Sequence, residues 1–69
     1  MNMEDAMINL EMTKDEAGIV VSVIERYLYH LQVEIIHTDK RDFRDALKQR
    51  EQFLKEIIDR LKTKILADA

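Results

Sequence analysis

The sequence of 69 residues contains no cysteine, no proline and no tryptophan, and it has a single glycine. Without cysteine, the chain has neither a disulfide framework nor a Cys-ligated zinc site. The near absence of proline and glycine excludes collagen-like sequences and flexible or Pro-rich linkers. The chain also has few residues that would interrupt a helix. These absences favour long helices.

The residues that are present have the composition of a small globular domain. Hydrophobic residues make up 46% of the chain and charged residues 36%, a balance that excludes the disordered class. A chain of this length buries a smaller fraction of its surface than a larger domain does. Without disulfides or a metal, it usually depends on well-packed helices or on self-association. Its length also argues against most classes of enzyme.

Charge is distributed unevenly along the chain. The net charge of −3 argues against binding to nucleic acid as a bulk polyanion. Residues 1–38 carry seven acids and two bases, and residues 39–69 carry seven acids and nine bases, so the two halves should attract each other. The charge-free apolar stretches at 17–24 and 27–33 are too short to span a bilayer, and we find no signal-peptide pattern. We expect a cytoplasmic protein that enters no membrane.

Two N-terminal signals show where helices begin. Thr13 with Glu16 three positions later is a capping box, in which each side chain accepts a hydrogen bond from the other residue's backbone. Asp39 with Asp42, directly after Thr38, is a weaker version of this pattern. The sequence therefore contains two helix starts.

These starts define the organisation of the chain. They predict a first helix over about 14–37 and a second over about 40–66, joined by a tight turn. Residues 13–69 then form a helical hairpin, and residues 1–12 form an N-terminal arm. One uninterrupted helical rod is the alternative.

Both predicted helices carry an apolar stripe. Apolar residues three, four or seven positions apart lie on one face of a helix. In the first helix they are Ala17, Val20, Val21, Ile24, Leu28, Leu31 and Ile35. In the second they are Phe43, Leu47, Leu54, Ile57, Ile58, Leu61 and Ile65. The stripes predict an all-α fold in which the helices pack antiparallel, with Leu47 beside Leu31.

The first helix also has apolar residues outside its stripe. They are Ile19, Val23, Tyr29, Val33 and Ile36. A helix that is apolar around most of its circumference is normally buried on several sides, and an exposed apolar patch marks an interaction surface. We therefore predict a homodimer in which copies of the first helix pack together as a four-helix bundle. Alternatively, residues 1–12 fold back over part of this surface.

The arm shows a different pattern. Ile8, Leu10 and Met12 alternate with less apolar neighbours, which is the periodicity of a strand. The apolar residues at positions 3, 6, 7 and 10 fit a short helix nearly as well. We favour the strand, and because a single strand is not stable alone it would have to pair with its copy in a second chain.

Glu34 and His37 form a pattern that resembles part of a metal site. Glu-x-x-His places a carboxylate and an imidazole on one helix face, as in di-iron bundles. Glu4 lies thirty residues before Glu34, which resembles the glutamate spacing of two-helix encapsulated ferritins. In that family a turn separates the first glutamate from the Glu-x-x-His helix, whereas here the first helix fills most of the interval. We favour a histidine that complements a helix C-terminus, with no metal and no cofactor.

The second helix carries two features of interest. One flank has a basic strip that could contact a partner: Arg41, Arg44, Lys48, Lys55 and Lys62. Intervening acids favour a solvated flank, or a partner for the acidic first half of the chain, over a phosphate-binding strip. Arg50 lies between Leu47 and Leu54 in the apolar stripe and should be paired. We predict a contact from Arg50 to Glu34 or Tyr27 that sets the register of the helices.

Several segments resemble a group of small uncharacterised bacterial proteins. They are Leu10-Glu11-Met12-Thr13, Tyr27-Leu28, Val33-Glu34-Ile35, Thr38-Asp39, Asp42-Phe43-Arg44 and Leu47-Lys48. The most specific segment, at 38–44, resembles the group's turn and second-helix start. The resemblance covers about residues 8–61 and implies a bacterial, cytosolic helical hairpin. It assigns no catalytic residue, because no activity is established for the group.

These observations favour a non-catalytic protein that dimerises and engages a protein partner through its outer surface. Nucleophilic catalysis has no support, since the chain lacks cysteine and shows no Ser-His-Asp arrangement. One alternative is a DNA-binding regulator similar to ribbon-helix-helix proteins, based on the strand-helix-helix order. Against it, the exposed strand face would offer Met7, Asn9 and Glu11, and the helices are nearly twice that family's usual length. The other alternative is a metal-binding bundle at Glu34 and His37.

Overall fold

The computed structural model describes residues 7–67, which contain two helices packed against each other. Helix α1 spans Lys14–Ile36 and helix α2 spans Arg41–Ala67. Both helices start and end within one residue of the bounds predicted from the sequence. A four-residue connection reverses the chain, so the helices form the predicted hairpin and the single-rod alternative is wrong.

The start of α1 is fixed by the predicted capping box. The Thr13 hydroxyl accepts a hydrogen bond from the backbone N–H of Glu16 at 3.1 Å. The Glu16 carboxylate accepts one from the backbone N–H of Thr13 at 2.9 Å. Two of the backbone donors that a helix start leaves unpaired are satisfied in this way. The signal read from the sequence is therefore confirmed.

The end of α1 is closed by the residues of the turn. The backbone N–H of His37 lies within hydrogen-bond distance of the carbonyls of Val33 and Glu34, at 3.2 and 3.1 Å. The Thr38 hydroxyl donates to the carbonyl of Glu34 at 2.6 Å. These contacts pair carbonyls that have no partner within the helix. The helix can therefore end here without a glycine.

The core lies between the two stripes. The buried apolar residues are Ala17, Val21, Leu31, Ile35, Leu47 and Ile58. Leu31, Ile35 and Leu47 form one cluster, and Leu54 packs against it. All seven stripe residues of α1 are buried or half-buried. The predicted pairing of Leu47 with Leu31 is present.

Two members of the predicted α2 stripe lie outside the core. Phe43 is 52% exposed and Ile57 is 38% exposed. Each lies seven positions from Arg50, so both side chains point to the same side of the helix as Arg50. The contact between two helices is only wide enough to cover the centre of a stripe. Phe43 and Ile57 therefore lie at the edge of the packed stripe.

The arm has no regular structure over residues 7–13. The strand predicted for residues 7–12 is thus not observed, and the helical alternative is absent over the part that the structure describes; positions 3 and 6 lie outside the described residues. The physical reason is that the chain by itself offers no strand edge with which the arm could pair. Met7, Ile8 and Leu10 are exposed, and Met12 is half-buried.

Candidate functional site

The predicted second apolar face of α1 is open to solvent. Ile19, Val23, Tyr29, Val33 and Ile36 are all exposed, with values from 37% for Val33 to 77% for Ile36. Residues 7–13 do not fold back over this face. Residues 10–13 instead border a cleft beside Leu61 and Ile65 at the open end of the hairpin.

One flank of the hairpin is closed by polar contacts between the helices. The Lys62 ammonium lies 2.8 Å from the Glu25 carboxylate. The Gln32 amide donates to Glu51 at 2.9 Å, and Lys55 lies 3.6 Å from the same carboxylate. We call these five residues the polar flank. Of these three contacts, the Lys62–Glu25 ion pair is the one that joins opposite charges of the two halves of the chain.

The other flank is apolar. It is marked by the hydrogen bond that the Arg50 guanidinium donates to the Tyr27 hydroxyl at 3.3 Å. Side chains three, four or seven positions from either residue share its direction. With Arg50 and Tyr27, the larger apolar members of this set at the edge of the core or outside it define the apolar flank: Val20, Val23, Phe43, Phe53 and Ile57. The exposed side chains of His30 and Glu34 share this direction. All members of the apolar flank but the half-buried Val20 are exposed, so this flank presents a broad apolar surface built from both helices.

Phe53 is a member of this surface that the sequence reasoning missed. It is 56% exposed and lies three positions after Arg50. The sequence signal for Phe53 is its place in a run at positions 43, 46, 50, 53 and 57. The alternating spacing of three and four residues is that of side chains on one packing face of a helix. The sequence reasoning considered only the strongest apolar stripe of α2 and therefore did not include this second row of side chains.

Arg50 reaches one of the two groups predicted for it, the Tyr27 hydroxyl. Arg50 and Tyr27 are both exposed, so the guanidinium keeps contact with water while its stem crosses the apolar surface. The contact joins residues 23 positions apart in the chain and links α2 to α1. Glu34 lies seven positions after Tyr27, on the same side of α1.

The basic strip is largely engaged or solvated. Two of its five bases, Lys55 and Lys62, contact carboxylates of the polar flank. Arg44 is half-buried, and its Nε atom has no hydrogen-bond partner among the described residues. Arg41 and Lys48 are exposed. A strip whose bases already pair with acids presents a weaker field to phosphates than five free cations would.

Glu34 and His37 do not belong to a larger ligand set in the part of the chain that the structure describes. No three histidine, cysteine, aspartate or glutamate side chains come together there in a way that could hold a metal ion. His37 is the C-cap residue of α1, the position at which a cation complements the helix dipole. His30 contacts the ring of its neighbour Tyr29 edge-on, with centroids 5.7 Å apart. Glu4 lies outside the described residues.

Two concave regions of the hairpin bear on possible ligand binding. A cleft of about 260 Å³ lies between the arm and the open ends of the helices, with Leu10, Thr13, Ala17, Leu61 and Ile65 among its lining. A shallower groove of about 520 Å³ runs along the outer face of α2 and is lined by charged or polar side chains.

Comparison with known proteins adds no assignment. No protein-family model, curated protein or solved structure matches the chain. Between residues 7 and 67, neither helix combines the length and apolar character needed to cross a membrane. The surfaces of the hairpin itself are therefore what bears on function.

Proposed function

We propose that the protein is a non-catalytic oligomerisation module that forms a homodimeric four-helix bundle. The observation that supports this is the amount of large apolar surface that the hairpin leaves exposed. Six such residues lie in α1 outside its core stripe, and four more lie in α2. Contiguous apolar surface on a protein in water marks an interaction site.

A second hairpin is a suitable partner for such a surface. Four-helix bundles bury the inner faces of two helical hairpins against each other. Two-fold symmetry lets the same patch serve both chains. The charged outer surface, including Arg41 and Lys48 of the basic strip, then stays available for a protein partner in the cytoplasm.

Sedimentation equilibrium of the full chain at micromolar concentration tests this proposal. We expect a single species with twice the mass of the chain. Dilution should dissociate it reversibly, with loss of the helical signal in circular dichroism if the hairpin depends on the dimer. A monodisperse monomer over the whole concentration range would contradict the proposal.

A further inference from the structure

We infer that the second copy of the chain seats on the apolar flank, and that both helices contribute to the interface. This inference rests on the proposed dimer and names the surface through which it forms. It differs from the interface predicted from the sequence, in which copies of the first helix pack on each other. Of the five residues predicted there, only Val23 lies on the apolar flank.

The chemistry of the two flanks separates them. The polar flank is crossed by an ion pair and a hydrogen bond between α1 and α2. Covering these groups would remove water from charges that are now partly solvated, which is costly. The apolar flank instead presents two phenylalanines, an isoleucine and a valine, with the charged side chains of Arg50 and Glu34 among them. Covering these groups removes apolar surface from water, which is favourable.

The residues of the predicted α1 interface do not share one direction. Successive residues of a helix turn by about 100°, so Tyr29, six positions after Val23, points about 120° away from it around α1. Tyr29 and Ile36 point toward the side of Gln32, on the polar flank. One flat partner cannot cover them together with Val23. The apolar flank, in contrast, is continuous across α1 and α2 through the Tyr27–Arg50 contact.

The exposed area is enough for a stable dimer. A compact monomer of 8.2 kDa exposes about 4,500 Å², whereas this chain exposes 6166 Å². The excess of about 1,600 Å² belongs to the whole chain, the extended residues 7–13 included. It is larger than the roughly 800 Å² that each partner loses in a typical stable interface. A hairpin is one layer of helices, and folded domains normally have at least two. A second copy supplies the missing layer.

Charge complementarity favours a second copy of the chain as the partner, and it also favours one orientation of the two hairpins. Helix α1 carries four acids and two bases, whereas α2 carries eight bases and five acids. In a bundle of two hairpins, each helix has one neighbour from its own chain and one from the partner. Opposite net charges favour α1 against the partner's α2 over α1 against the partner's α1. In this arrangement both turns lie at the same end.

The Tyr27–Arg50 pair would lie near the middle of this interface. A polar residue within an apolar seam lowers stability but selects one register and one oligomeric state. The hydrogen bond already holds the guanidinium to the flank, which reduces the ordering needed on association. This gives the predicted register pair a role between chains as well as within one.

Charge reversal on the two kinds of surface tests the inference. The double substitution Phe53→Glu with Ile57→Glu places two carboxylates on the apolar flank. The matched control, Tyr29→Glu with Ile36→Glu, places two on exposed apolar positions of α1 outside it. Sedimentation equilibrium should show that the first raises the dimer dissociation constant on the order of 100-fold or more. The control should change it by less than about tenfold.

A labelling experiment keeps the test valid if the glutamate variants unfold. Because the chain has no cysteine, Phe53→Cys and Tyr29→Cys each introduce a single thiol. Alkylation of the thiol at position 53 should slow as the protein concentration rises through the dissociation constant. Alkylation at position 29 should stay constant.

The outcomes separate this inference from the proposed function. Protection at position 29 and not at 53, or equal loss of the dimer in both double variants, would overturn the apolar flank as the interface while leaving the dimer intact. A wild-type chain that is monomeric at every concentration would overturn the proposed function itself.

Discussion

At the residue scale, Gly18 and Arg50 are the positions where the sequence departs from a simple helical pattern. A Cβ built on Gly18 would meet no atom within 4 Å, so the hairpin itself does not require glycine there. Arg50 lies in an apolar seam and bonds Tyr27. Gly18 is thus without a clear benefit in the single hairpin, whereas Arg50 links its two helices. Both can be tested by substitution.

Gly18→Ala is expected to stabilise the hairpin by about 0.5 to 1 kcal/mol. Alanine has the higher helix propensity and restricts the unfolded chain, and the structure offers room for its methyl group. Urea unfolding followed by circular dichroism measures the change. Destabilisation would show that the methyl group meets something outside the hairpin, such as a second chain.

Arg50→Met is expected to keep the helices and to relax the oligomeric state. Removing the arginine leaves the apolar flank without a charged group at its centre. An interface of apolar side chains alone specifies the register of the helices poorly. Sedimentation velocity should show more than one oligomeric species. Tyr27→Phe removes the same hydrogen bond while keeping the ring and the guanidinium, so it should have a smaller effect. A single, more stable dimer in Arg50→Met would exclude a role in specificity.

At the element scale, the helices follow closely from local signals. The capping box starts α1 at the predicted residue, and the stripe of α1 is the face that packs. The stripe of α2 was assigned less well, because Phe43 and Ile57 lie at its edge and stay partly exposed. The arm was predicted as a strand from alternation alone. Alternating apolar residues show which side chains would share a face of a strand. They do not supply the second strand with which that strand must pair.

The packed face of α1 should dominate its stability. Leu31 is 2% exposed and belongs to the central cluster, so Leu31→Ala should destabilise the protein by about 2 to 5 kcal/mol. Val33→Ala, two residues away on an exposed position, should cost far less in the monomer. Chemical denaturation at a protein concentration below the dimer dissociation constant makes the comparison. Equal losses would contradict the assignment of the core.

At the scale of the whole molecule, the hairpin has two unlike flanks. Opposite charges close one flank, where Lys62 meets Glu25. Large apolar side chains leave the other open, and the exposed area exceeds that of a compact monomer of the same mass. An assembly with a second copy on the apolar flank accounts for both observations.

The orientation of that assembly gives a prediction about proximity. With α1 against the partner's α2 and both turns at one end, Val23 of one chain lies near Ile57 of the other. Mixing Val23→Cys with Ile57→Cys under mild oxidation should therefore give more disulfide-linked dimer than either variant alone. If Val23→Cys alone cross-links best, α1 packs against its own copy and this orientation is wrong.

The sequence by itself determined the two helices, the start of the first, the stripe that packs between them and the exposure of the second apolar face of α1. These features depend on residues a few positions apart, whose relation follows from the geometry of a helix. The tertiary structure decided which stripe residues are covered and which side chains meet across the hairpin, as Tyr27 meets Arg50 and Gln32 meets Glu51. These features depend on the width and register of the contact between helices, which are set by packing between residues distant in the chain.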